Sequence, residues 1–314
     1  MIPGFLLLAL LVTFSPVISA DTVSTPVTAF DGDAPVVLMH GAVELASKSG
    51  DGTKIGSLSA LAWDQDEGVL YALSDNAHLY QFEPVFEDGK LVAVNFLDRV
   101  RLRETDGDKL KGNERDSEGM HVVNGRNGSK GDSELLIAFE KKPRIGRFSV
   151  EGRQVGEVEL PSALTDIKNY SGANHALEAV TRHPEYGVMT LPQRPQDDGH
   201  YLYAAEGRKW PYAMTPLRGN EVVSLETMPG GDLLVMERLY DPGVFGGAII
   251  TLRRGVIEGD SLKLSTLAVL KSTDGWTLEI FEGLIHHEDG RYFMVSDNND
   301  KASRRTLLFY FSFK

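Results

Sequence analysis

Cysteine is absent from all 314 residues. Disulfides, thiol nucleophiles and a lipid-anchored N-terminal cysteine are therefore excluded, and a chain of this size needs no covalent staple. Positive charge is scarce too, with 32 Lys and Arg against 45 Asp and Glu and a net charge of −13. Such a balance argues against nucleic acid and anionic membrane surfaces as partners. Residues 1–20 carry no charged side chain, and Phe5–Val12 is an unbroken apolar run. Ending in the small residue Ala20, this segment reads as a secretory signal. A membrane anchor is the alternative, disfavoured by Pro16 and the short apolar core. A periplasmic or secreted location, with no stable membrane span after processing, is the expectation.

Catalytic signatures are missing as well. No G-x-S-x-G occurs; Arg115-Asp116-Ser117-Glu118-Gly119 has arginine where the first glycine belongs, so a serine-hydrolase elbow is unsupported. No H-E-x-x-H occurs, and His286-His287-Glu288 lacks the spacing that puts two imidazoles on one helical face. Arg182-His183-Pro184 does not match an Arg-His-Gly phosphatase pattern, and no glycine loop precedes a helix to cradle phosphate. What remains is carboxylate chemistry, with or without a metal.

What is present is one hairpin written five times. Its first strands open at Ser59-Ala60-Leu61, Glu118-Gly119-Met120, Glu178-Ala179-Val180, Glu221-Val222-Val223 and Glu282-Gly283-Leu284. Four copies turn at glycine (Gly68, Gly187, Gly230-Gly231 and Gly290), and their second strands end at Asp75, Pro192, Glu237 and Asp297. The second copy turns through Asn124–Gly131 and ends at Glu140. In an antiparallel pair the start of one strand lies beside the end of the other, so eight acids are expected on one face. The openings are separated by 59, 60, 43 and 61 residues, a period that strand-only repeats share with propellers.

Four strands per repeat can be drawn for the first four copies, the fourth strand of the third copy being a weak Tyr212–Leu217. The last copy supplies three, ending at Thr306–Phe313. Pro35–Leu45 is an apolar, β-branched run without a partner, and placing it beside Thr306–Phe313 removes an exposed edge. The expected fold is thus all-β, a propeller of five four-stranded antiparallel blades closed by an N-terminal strand, with six blades as the alternative. Residues 21–34 read as a flexible lead-in and 35–314 as one propeller domain.

Asp116-Ser117-Glu118-Gly119-Met120, Glu140 with Pro143-Arg144-Ile145, Asn174 with Leu177-Glu178-Ala179-Val180, and Phe281-Glu282-Gly283-Leu284 with Ser296-Asp297-Asn298-Asn299 resemble the landmarks of the esterase-like phytase family. The resemblance runs from about Gly56 to Lys314. It implies an exported propeller whose acidic residues carry any activity, with a phosphoester as the implied substrate class. Ser59 and Pro192 depart from the repeat, so their blades are expected to contribute less.

The acids can also be weighed electrostatically. Carboxylates about 7 Å apart at an effective dielectric near 20 repel by roughly 2 kcal/mol per pair. Protons, basic residues or a cation must offset this. Oxygen-only ligands favour calcium, then magnesium, while Arg115, Lys141, Arg144, His175, Arg194 and Arg238 offer an ion-pair network instead. In the metal-dependent hydrolase reading, Asp75, Glu140, Glu237 and Asp297 hold the ion. Glu118, Glu178 or Glu282 then activates water, and Arg144, Lys141, Arg115 and His175 with Glu221 surround the substrate. The competing reading is a non-catalytic propeller that binds a small envelope ligand.

Overall fold

The computed structural model describes residues 20–32, 35–241, 243 and 247–314. The expected signal segment lies outside the described residues, apart from Ala20. Five antiparallel sheets form the five blades. The first blade runs Leu58–Asp64, Val69–Ser74, His78–Glu87 and Lys90–Arg101. The second runs Ser117–Val123, Glu134–Phe139, Arg144–Ser149 and Gln154–Val158. Leu177–His183, Gly187–Pro192, Tyr201–Ala204 and Lys209–Pro211 make the third. Its outer strand is therefore Lys209–Pro211, not the expected Tyr212–Leu217, because Trp210 pairs with Leu202. The fourth is Glu221–Thr227, Leu233–Asp241, Gly247–Glu258 and Ser261–Lys271. The fifth has Ile280–His286, Arg291–Asp297 and Thr306–Phe313.

Closure follows the expected route. Val37–Leu45 pairs with Thr306–Phe313 as the fourth strand of the fifth blade. Residues 21–26, expected to be a flexible lead-in, instead form two short strands. Ser24–Pro26 pairs outside Val37–Leu45, and Asp21–Thr22 pairs with Lys90–Arg101 of the first blade. The N-terminal segment thus straddles the first and last blades and covers both edges at the seam, which local propensity over such short strands could not reveal.

The first strands of the blades pack on one another in cyclic order, the fifth against the first, and enclose the centre. The second strands are apolar on both faces because both faces are covered. Leu135, Ile137 and Phe139 pack toward the first blade, and the alternate Leu136 and Ala138 toward the third, as a period of two requires. Each of the five apolar clusters fills one junction between neighbouring blades. Hydrogen bonds tie the junction of the first and second blades at the centre: Ser59 Oγ donates to the Ser117 carbonyl at 2.8 Å and Ser117 Oγ to the Ser74 carbonyl at 2.7 Å.

Candidate functional site

Every first hairpin carries a bulge at the same place. The register slips between Leu58 and Ala60, Ser117 and Gly119, Leu177 and Ala179, Val222 and Ser224, and Phe281 and Gly283. The bulged residues are thus Ser59, Glu118, Glu178, Val223 and Glu282. A bulge frees its residue from the ladder and re-aims the side chain, a device frequent beside active sites. The glycine that follows has a steric cause. A Cβ on Gly119 would lie 2.7 Å from the Glu178 carbonyl oxygen, and one on Gly283 would lie 3.0 Å from backbone atoms of Ala60 and Leu61. Only glycine lets the neighbouring strand pass so close.

This register corrects the alignment of the fourth copy. Val223 takes the bulge, and Glu221 lies two residues earlier, at the position Asp116 holds in the second blade. On the second strands the matching positions are Asp75, Glu140, Gln193, Arg238 and Asp297, each following the residue paired across the bulge. Glu237 is one residue out of step. It is fully buried and accepts hydrogen bonds from Tyr212 at 2.6 Å, Asn220 at 2.8 Å and Arg253 at 3.0 Å. Those donors saturate it, so it does not join the expected metal ligands.

The remaining acids do gather. Asp116, Glu118 and Glu140 each offer an oxygen, and the three oxygens lie within 4.8 Å of one another. Burial drives the Glu118 carboxyl well above the usual carboxylate range, and Glu178, Glu282, Glu140 and Asp116 push it further. Glu178 rises for the same reasons, burial first and then Glu140 and Glu282. Glu140 is raised to about 8 by burial and by Asp116, although it accepts from the Ala176 amide at 3.3 Å. Asp297 is raised to about 8 by burial and Glu282, and Asp75 to about 6 by burial, Glu282 and Asp116. Two buried oxygens, Asp116 Oδ2 and Glu178 Oε2, have no hydrogen-bond partner among the described residues.

Two cations answer these charges. Arg238, buried, donates to Glu282 and, at 2.9 Å, to Glu221. Burial alone would raise Glu221, but Arg238 and Arg194 outweigh it and hold this carboxyl low. Glu221 is therefore a structural counter-ion. Lys141 Nζ donates to Asp116 Oδ1 at 2.9 Å. Arg144 stands apart: it lies 3.8 Å over the Phe139 ring and donates to the Glu114 carbonyl, so it braces the second blade. His175 shares a hydrogen bond with Ser171 at 3.1 Å, near Arg194 and Glu221. Arg115 lines a basic recess of about 220 Å³ with Lys54, Arg99, Arg101 and His78, which also reaches Asn76. Asn76 donates to Asp75 at 2.6 Å, so the recess adjoins the acids.

Sequence reasoning missed Asp116 as a member of the acidic group and Arg238 as the occupant of an acid position. Counting from the turn could have found the second. Asp75, Asp297 and Arg238 each lie seven residues after a turn glycine, Gly68, Gly290 and Gly231. The doubled Gly230-Gly231 made Glu237 look equivalent.

Residues 53–300 match the family model described as phytase-like, esterase-like activity of phytase. The chain belongs to that family. No curated protein sequence matches it. Among solved structures, a gluconolactonase from Xanthomonas campestris is similar at 11% identity with a TM-score of 0.50, over 94% of this chain and 99% of the other. A protein of unknown function from Bacteroides caccae is similar at 11% identity with a TM-score of 0.42, over 91% and 86% of the two chains. At these identities the likeness is one of fold. No helix among the described residues is long and apolar enough to cross a membrane.

Proposed function

We propose that the acidic mouth of the ring hydrolyses a phosphate ester outside the cytoplasm with the help of a divalent cation, calcium first. The observation that carries the reading is the packing of Asp116, Glu118 and Glu140 oxygens within 4.8 Å of one another, with Asp116 Oδ2 left unpartnered. An all-oxygen donor set of this kind suits a hard cation. Bound there, the ion would invert the local charge and polarise a phosphoryl oxygen. Asp116, Glu118 and Glu140 hold it, and Lys141 keeps Asp116 oriented. Glu178 faces the group with an unpartnered, buried oxygen and a raised pKa. Burial and the neighbouring carboxylates favour its protonated form, which suits it to acid–base chemistry. Glu282, fixed by Arg238, is the less available base. The basic recess of Arg99, Arg101 and Arg115 offers phosphoryl oxygens positive charge, because Arg238 and Lys141 are already paired with acids of the mouth.

The test is a panel of phosphoesters assayed with calcium, with chelator, and with Glu178→Gln. Hydrolysis that needs the metal and falls by about 10²-fold in the variant supports the reading. If no ester is turned over in any condition, the protein is a binding propeller instead.

A further inference from the structure

At the far ends of the five first strands the ring has a second mouth. A cavity of about 440 Å³ opens there, lined by Trp63, His121, Arg182, Glu226 and His286, one from each blade. Its size is that of a small-molecule site. Three of its side chains present buried nitrogens with no partner among the described residues: Trp63 Nε1, His121 Nδ1 and His286 Nε2. Buried polar groups are nearly always paired, so three orphans around one cavity need an explanation.

The chemistry of these atoms is well defined. Only 4% of His286 is exposed, and its Nδ1 lies 2.9 Å from Arg126 Nη1. A guanidinium can only donate, so Nδ1 accepts and Nε2 carries the proton. His286 Nε2 and the Trp63 indole are thus two unmet donors. The carboxylate of Glu226, a residue 6% exposed, is an acceptor without a hydrogen bond among the described residues. Its Oε2 lies 3.9 Å from His121 Nδ1, too far to bond directly, yet one oxygen about 2.8 Å from each would satisfy both. Arg182 stands exposed at the rim. Unmet donors and an unmet acceptor around one cavity call for groups that both give and receive hydrogen bonds. Hydroxyls do this.

We propose that this second mouth binds a small polyhydroxylated molecule of about monosaccharide size, independently of the acidic mouth. Glu226 and His121 share one hydroxyl, while Trp63 and His286 donate to others. No covalent step is involved.

Calorimetric titration of the full chain with myo-inositol, D-glucose and D-gluconate tests this. Binding of at least one probe is expected, weakened about tenfold by Glu226→Gln, which replaces a charged acceptor by a neutral one, and by Trp63→Phe, which removes a donor. Calcium affinity in both variants should match the parent, which also shows that they fold. Three results overturn the proposal: no probe binds at millimolar concentration; binding is indifferent to both variants; or a ligand-free crystal structure shows ordered waters bonded to all three nitrogens.

Discussion

The two mouths of this ring are built from opposite ends of the same five strands and are buried to a similar degree, yet they shed charge in opposite senses. At one end burial lifts carboxylates, taking Asp297 and Glu140 to about 8. At the other it depresses the imidazole of His286, and of His287 packed beside it in the blade junction, to about 4, helped by Arg126. Burial disfavours the charged form in both cases. The imidazoles can remain neutral at no further cost. The carboxylates can do so only by holding protons near neutral pH, where a cation competes for the same oxygens. One mouth is therefore suited to a metal and the other to a neutral ligand.

The comparison breaks most visibly at Arg238, the buried cation of the acidic mouth. Arg238→Met leaves Glu282 buried without its ion-pair partner and Glu221 with Arg194 alone, and unfolding measurements should show a loss of about 3–5 kcal/mol. A loss below about 1 kcal/mol would mean that protons or solvent already neutralise those acids.

Ring geometry gives the next effect. Gly119→Ala drives a Cβ to within 2.7 Å of the Glu178 carbonyl oxygen, and overpacking against backbone should cost about 1–3 kcal/mol. Chemical denaturation would measure it, and neutrality would show that the blades can spread.

A smaller effect separates the mouths by pH. Asp75 and Asp297 titrate at about 6 and about 8 in the folded protein but near ~4 when unfolded. Their raised values stabilise the metal-free fold below about pH 4, a contribution lost as pH rises through 6 and 8. The histidines run the other way. His286, at about 4 when folded and near ~6.5 when unfolded, supports the fold above about pH 6.5 and less as pH falls toward 4. Asp297→Asn should therefore raise the Tm at pH 8 by several degrees relative to the parent, and His286→Gln should flatten the decline below pH 6. If both variants alter the same limb of the curve, the two mouths are not electrostatically distinct.

Much of this was legible in the chain. Five repeated hairpins fix five blades because each opening and each glycine turn recurs, and the unpartnered run before Leu45 announces the closing strand. The E-G pairs at Glu118 and Glu282 mark the bulges. In the fourth copy the doubled Gly230-Gly231 blurs a register that only hydrogen bonding resolves, so sequence alone misplaces Glu221 and Glu237 and hides Arg238. Asp116 was masked by its likeness to a failed serine motif. The second mouth left no trace in the sequence. Trp63, His121, Glu226 and His286 share no motif, and only ring closure brings them together.

The account stands or falls on where a divalent cation sits. Calcium titration by calorimetry, run on the parent protein and on an Asp116→Asn, Glu118→Gln double variant, addresses that directly. The parent should bind calcium at pH 8 and more weakly at pH 5, where protons occupy the ligand oxygens. The double variant should remain folded and lose at least about 10²-fold in affinity, as removal of two charged ligands implies. Equal affinity in both proteins, or no calcium binding by the parent at pH 8, would contradict it.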